Sequence, residues 1–330
     1  MVIVRFKRCF LSLITASACV VLLYICYPTN LSQISAVTML KTTPRQHHER
    51  PLSEWKQNSW LPTVVQPGLF QFRNETFNCT TAVLMNMTFP VCHYTAETDL
   101  LVTGSLLSGT YYEAGDISRA LRLLRSHRHL QLVDIGANIG LWSLPAARMT
   151  QVLAVEPNWR SMSRLAKSVD LGAVGSNITL VHNAVSDVRA TFYVGVTPRN
   201  KGIAFLVDST QCKTVRYCNT DSPITTIFLN DLVPLMRSNS ALLKVDVEGH
   251  EFNIFTNSSA KKFFDLIDVP YVSMEWAWIK LRPVRMVQRL LDFFYSRNYT
   301  VFSMEMSQLK EHYLKWPQNI LLKKRPYVYF

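Results

Sequence analysis

Two stretches of this sequence set reactive side chains at spacings that suit chemistry. The first is Val133-Asp134-Ile135-Gly136-Ala137-Asn138-Ile139-Gly140. An apolar run ends at Gly136, and Gly140 follows. Glycines after a strand let the backbone approach a ligand closely, and the start of a following helix offers free N–H groups. The spacing is Gly-x-x-x-Gly, not the Gly-x-Gly-x-x-Gly of dinucleotide folds. About twenty residues later Glu156 ends a second apolar run, where a carboxylate can accept hydrogen bonds from both hydroxyls of a ribose. The glycine pair alone fits a plain tight turn. Joined to Glu156, it points to a nucleoside ligand.

The second stretch is Lys244-Val245-Asp246-Val247-Glu248-Gly249-His250-Glu251. On a strand, alternate side chains share a face, so Lys244, Asp246 and Glu248 point one way and Val245 and Val247 the other. Polar groups at the carboxyl end of a buried strand lie where open α/β folds bind ligands. The bland alternative is an internal Lys–carboxylate pair at the start of a helix. Glu275 ends the next apolar run and sits beside Asp246 if the two strands are neighbours. Asp246 and Glu275 then suit either a divalent cation such as Mg²⁺ or an acceptor hydroxyl. His250 is the expected general base by its intrinsic pKa, with Asp246, Glu248 and Glu251 as alternatives. Trp276 and Trp278 are expected either to stack on a sugar ring or to pack.

The elements that position these groups follow from the pattern of apolar runs. Strands are expected at Leu130–Ile135, Val152–Val155, Ile178–His182, Ala241–Val247, Tyr271–Glu275, Tyr299–Ser303 and Asn319–Leu322. Helices are expected at Ile139–Ala147, Ser161–Val169, Phe252–Phe264 and Pro283–Ser296. Thr191–Val196 and Ile224–Phe228 read as extra strands in an interlude. Alternating strands and helices imply parallel pairing with right-handed crossovers, and so a doubly wound, mostly parallel α/β sheet. Residues 61–128 hold a helix near Ile117–Ser126 and read as an N-terminal extension of the domain at 129–330. No internal repeat or low-complexity tract interrupts it.

The segments VDIGANIGLWSL (133–144), AVEPN (154–158), NAVSD (183–187) and LLKVDVEGHE (242–251) together resemble the FkbM-type methyltransferases. The resemblance implies a class I methyltransferase (Rossmann-like) sheet that binds S-adenosyl-L-methionine. It implies that Asp134, Gly136, Asn138 and Gly140 line the methionine side of the cofactor and that Glu156 holds the ribose, with Asn158 next to it. Asn183 and Ala184 lie by the adenine. Lys244, Asp246, Glu248, His250 and Glu275 become the catalytic set.

The N-terminus sets the compartment. Arg5, Lys7 and Arg8 precede an uncharged run at 9–27, about the length that spans a bilayer as a helix. Positive charge stays cytoplasmic, so residues 1–8 form the tail and the rest is lumenal. A cleaved signal peptide is the rival reading, with Ala16-Ser17-Ala18 as its cleavage site. Pro-, Ser- and Thr-rich residues 28–60 read as a stem. Sequons begin at Asn30, Asn74, Asn78, Asn86, Asn177, Asn257 and Asn298. Cys79, Cys92, Cys212 and Cys218 form an even set, most simply paired Cys79–Cys92 and Cys212–Cys218 in an oxidising compartment. The net charge is +12, but the basic residues are scattered. They fit a soluble basic surface rather than nucleic-acid binding.

The expected protein is therefore a single-pass type II Golgi membrane enzyme, with the endoplasmic reticulum as the alternative address. Its expected activity is O-methylation of a sugar hydroxyl on a glycan or glycoprotein acceptor. A lumenal glycosyltransferase reading Asp246-Val247-Glu248 as its acidic motif, and a non-catalytic tethered binding module, are the alternatives.

Overall fold

A computed structural model describes residues 60–67 and 76–325 of the protein. The expected tail, anchor and stem lie outside these residues, apart from Trp60. No helix among the described residues is long and apolar enough to cross a membrane.

The strands in chain order are β1 (Val64–Val65), β2 (Asn78–Leu84), β3 (Met87–His93), β4 (Gln131–Ile135), β5 (Val152–Val155), β6 (Ile178–Val181) and β7 (Ala184–Val185). They continue as β8 (Thr191–Thr197), β9 (Asn200–Val207), β10 (Cys218–Ile227), β11 (Ser240–Val245), β12 (Asp268–Glu275), β13 (Tyr299–Ser303) and β14 (Asn319–Lys324). The helices are α1 (Val102–Leu107), α2 (Ala114–Ser126), α3 (Ser143–Ala146), α4 (Trp159–Leu171), α5 (Ser209–Thr214), α6 (Glu251–Phe255), α7 (Ser258–Leu266) and α8 (Val284–Tyr295).

The main sheet runs β1-β6-β5-β4-β11-β12-β14-β13. Neighbours from β6 through β12 pair in parallel. β14 lies antiparallel between β12 and β13, and β1 is antiparallel to β6, so the sheet is mixed. This is a class I methyltransferase-like α/β fold. Every residue of β4 is buried because layers cover both faces. Leu132 and Leu242 enter one core, while Val133, Ile135, Leu243 and Val245 enter the other, as the two-residue period requires. α2 buries Ile117, Ala120, Leu121 and Leu124, and α8 buries Val287, Leu290, Leu291 and Phe294. Both follow the spacing of one helical face.

Two expected helices are corrected. Ile139–Ala147 yields only the four-residue α3, since the chain first turns through Gly140 at φ +94°. Phe252–Phe264 breaks into α6 and α7, because the Asn257 side chain accepts from the N–H groups of Ser259 and Ala260 and starts a new helix. The interlude gains β9 and α5. It folds as a second, mixed sheet, β7-β10-β8-β9, in which β7 pairs with β10 in parallel and the other pairs are antiparallel. Residues 61–128 contribute the β2–β3 hairpin, turned at Met85 and Asn86, both at positive φ. Cys79 opposes Cys92 across that hairpin at bonding distance, and Cys212 meets Cys218 beside α5.

Candidate active site

An open cavity runs along the carboxyl tips of the central strands. Its empty space, open mouth included, is about 1060 Å³. Asn183, Glu156, Gly136, Asp246 and Glu275 line it in the same order as their strands lie in the sheet: β6, β5, β4, β11, β12. Gln318, just before β14, continues the line. Gly202, Ile203, Ala204 and Leu206 of β9 face it from the small sheet.

The Gly136 end is built by close backbone approach. A Cβ there would lie 1.7 Å from the Asp246 carbonyl oxygen, and φ is +85°, so only glycine fits. Glu156, 4% exposed, accepts from the Asn138 N–H at 2.7 Å and from the Asn158 N–H at 2.8 Å. Burial raises its carboxyl to about pH 7. The Asn138 side chain donates to the Gly202 carbonyl, tying the loop to β9. Its Oδ1 is buried without a partner.

Several expected contacts fall beneath the cavity rather than on it. Asp134 is fully buried and does not reach the wall. It pairs with Lys244, its register partner across β4 and β11, at 3.2 Å, and accepts from the Ser143 hydroxyl at 2.6 Å. Gly140 packs against Leu165 and Leu144. Asn158 caps α4 by accepting from the Arg160 N–H. These residues hold the loop from below. Asn183 lines the wall, but its amide is committed to Thr63 and Thr225. Ala184 and Val185 complete that end.

At the other end Lys244, 5% exposed, donates to the Gly136 carbonyl at 2.6 Å and lies 3.5 Å from Asp246. Burial alone would lower its pKa. The charges of Asp134, Asp246 and Glu113 outweigh this and raise it. Glu248, at φ +55°, accepts from Trp278 Nε1. Burial, with repulsion from Asp246, holds Glu248 and Glu275 well above the ordinary carboxylate range. Glu275 Oε2 and Glu251 Oε2 are buried without partners. Asp246, Glu251 and Glu275 each offer an oxygen within 4.8 Å of the others.

His250 lines the same cavity, with its imidazole bonded toward Ser186. The positive φ of Glu248 and Gly249 turns the chain back across the sheet tip, and His250 Nε2 meets the Ser186 hydroxyl at 2.9 Å. It thus sits at the β6–β7 end, where burial lowers its pKa. The carboxylates gather at the β11–β12 end. Trp276, 1% exposed, packs on Trp316 in the core and does not reach the cavity.

Sequence reasoning missed Tyr112, Glu113 and Gln318 in this wall. Glu113 accepts from Trp142 Nε1 at 3.1 Å and from Asn319 Nδ2 at 2.8 Å. Burial, aided by Asp246, raises it to about 6. The sole local signal was a carboxylate just ahead of a helix. Nothing in sequence brings residue 113 to residue 319.

These groups fit S-adenosylmethionine. Gly136, Asn138 and Glu156 line the cavity together, and the Glu156 carboxylate, pinned by two backbone N–H groups, keeps lone pairs for ribose hydroxyls. The methyltransferase FkbM domain model matches residues 134–301. No curated protein gives a significant match. Among solved structures, an S-adenosylmethionine-dependent O-methyltransferase from Thermotoga maritima is similar at 10% identity, with 76% of this chain and 79% of that one covered and a TM-score of 0.34. The O-methyltransferase TomG from Streptomyces achromogenes, in complex with S-adenosylmethionine, is similar at 12% identity, covering 70% and 90%, TM-score 0.38. A precorrin-6y C5,15-methyltransferase from Geobacter metallireducens is similar at 13% identity, covering 62% and 85%, TM-score 0.31. With the family model spanning just over half of the chain, the protein belongs to the FkbM methyltransferase family and is an S-adenosylmethionine-dependent methyltransferase.

Proposed function

We propose that the protein methylates a hydroxyl oxygen on a glycan sugar within the Golgi lumen, held there by residues 9–27 as a type II anchor. The observation that carries the chemistry is the division of the cavity. Glu156, Gly136 and Ala184 line one end, and Asp246, Glu248 and Glu275 form a carboxylate-rich end beside it. Hydroxyl acceptors donate hydrogen bonds, and carboxylates accept them strongly. The positively charged N-terminus, the dense sequons and the two cysteine pairs support the lumenal address.

S-Adenosylmethionine, when bound, supplies a methyl group on a positively charged sulfur that departs as a neutral thioether. The protein's task is to align the acceptor oxygen with that methyl group, which is where most of the acceleration arises. Asp246 stands on the donor side of the carboxylate end, with its side chain 30% exposed and 3.5 Å from Lys244. In the proposal it takes the hydroxyl proton as the oxygen–carbon bond forms and the sulfur–carbon bond breaks. His250, turned to Ser186, is assigned to the nucleobase wall. Asp246→Asn should then lower turnover ~10²–10⁴-fold, the usual range for a general base, with donor affinity unchanged. His250→Ala should chiefly weaken donor binding. The reverse pattern would return the base to His250.

A second reading places a divalent cation on Asp246, Glu251 and Glu275, because it would satisfy the unpartnered oxygens of Glu251 and Glu275. Chelation followed by Mg²⁺ or Mn²⁺ addition decides between them, since only this reading expects loss and recovery of transfer. The function itself is tested by incubating the full chain with labelled donor and a panel of glycosides and finding a methyl-ether sugar by mass spectrometry. Transfer to no sugar, or binding of a nucleotide sugar in place of the donor, would refute it.

A further inference from the structure

The residues matched to the FkbM domain, 134–301, build the donor end of the cavity and the carboxylates at its centre. The far wall comes from outside that span. Tyr112 and Glu113 precede it, Gln318 follows it, and all three face the same cavity. The chain invests in holding them there. Glu113 adopts φ +55°, a left-handed conformation that a non-glycine residue takes at a cost. Both of its carboxylate oxygens are fixed, one by Trp142 and one by Asn319. Asn319 also donates to Asp116, at 2.8 Å, which stitches the start of α2 to the start of β14. Gln318 is set by its carbonyl, which accepts from the Trp276 N–H at 2.6 Å. A strained, doubly oriented carboxylate on a cavity wall is what a binding site requires and what a core does not.

We infer that Tyr112, Glu113 and Gln318 form the acceptor subsite, and that it selects a neutral sugar over an acidic one. The inference rests on the glycan reading above and names its acceptor class. An aromatic ring offers a flat apolar face to the C–H side of a sugar, and a fixed carboxylate accepts from its hydroxyls. Lys244, the one lysine or arginine among the residues lining this cavity, is already held by Asp134, Asp246 and the Gly136 carbonyl. A uronate or sulfate would find no free cation there and would face Asp246, whereas an uncharged ring brings no charge.

The test uses the full chain in detergent with S-adenosylmethionine and four probes: the methyl glycosides of mannose, fucose, galactose and glucuronic acid. The wild type should transfer to at least one neutral glycoside with kcat/KM at least ~10-fold above the glucuronide. Glu113→Gln should raise the acceptor KM about tenfold, the loss expected for one charge-assisted hydrogen bond, while the Kd for S-adenosylhomocysteine stays within twofold. Tyr112→Ala should raise the acceptor KM as well, and Tyr112→Phe, which keeps the ring, should largely restore it. If Glu113→Gln does not fold, as judged by loss of S-adenosylhomocysteine binding, Gln318→Ala carries the same expectation. Wild-type transfer with acceptor KM unmoved in the folded variants, or with the glucuronide preferred, overturns the subsite alone. No wild-type transfer to any of the four removes the glycan reading and this subsite with it.

Discussion

At the scale of single residues, Lys244 joins the two halves of the site. It bonds the Gly136 carbonyl, pairs with Asp134 beneath the loop and approaches Asp246 beside it. The strand alternation placed Lys244 and Asp246 on one face, and that relation holds as an ion pair. The bland expectation of an internal Lys–carboxylate pair and the functional one are thus the same contact seen from two sides. Removing one partner of a buried pair leaves the other charge uncompensated, which costs ~3–5 kcal/mol. Lys244→Met should therefore lower the unfolding free energy by about that amount, and should weaken donor binding because the Gly136 loop loses its tether. Urea denaturation and calorimetric titration with S-adenosylhomocysteine check the two effects. A variant with wild-type stability would show that Asp134 is satisfied by Ser143 alone.

At the scale of elements, His182 locks the tip of β6 to the turn that follows β5. Its Nε2–H donates to the Pro157 carbonyl at 3.1 Å, next to Glu156. Burial lowers its pKa from 6.5 to about 4. The unfolded chain takes up this proton near pH 6.5, and the folded one resists until about pH 4. Stability from this group is thus complete above pH 6.5 and is lost as pH falls toward 4, because protons bind preferentially to the unfolded state. His182→Gln keeps a donor but does not titrate, so it should flatten the fall in stability between pH 6.5 and 4.5. Parallel acid slopes in the two proteins, followed by denaturant titration, would dismiss His182 as a source. The same scale explains the misread helices. Apolar periodicity registered Phe252–Phe264 as one element, but the capping bonds of Asn257 divide it. A cap depends on local hydrogen bonding that a hydrophobic period does not register.

At the scale of the whole molecule, folding sorts the sequons. Asn78, Asn86 and Asn298 are exposed. The Asn177 side-chain nitrogen donates to the Ala147 carbonyl at 2.9 Å, and that of Asn257 donates to the Asp187 carbonyl at 3.0 Å. A glycan needs that nitrogen, so these two sequons are committed to structure. On the proposed lumenal address, glycopeptide mass spectrometry of the chain from a secretory host should find glycans on Asn78, Asn86 and Asn298 and none on Asn177 or Asn257. Complete absence of glycans would argue against the lumenal address. Asn30 and Asn74 lie outside the described residues.

The sequence by itself determined the frame of this protein. Buried strands, Gly136 and Gly140, Glu156 and the polar end of β11 are local features, each written in a handful of consecutive residues, and their order along the chain specifies the sheet. Tertiary structure decided which side chains face the ligand. It sent Asp134, Gly140 and Asn158 beneath the loop and set the His250 imidazole against Ser186 on the cavity wall. It also brought Glu113 against Asn319. Those outcomes depend on the twist of short loops and on contacts between segments far apart in the chain, and a one-dimensional pattern holds neither.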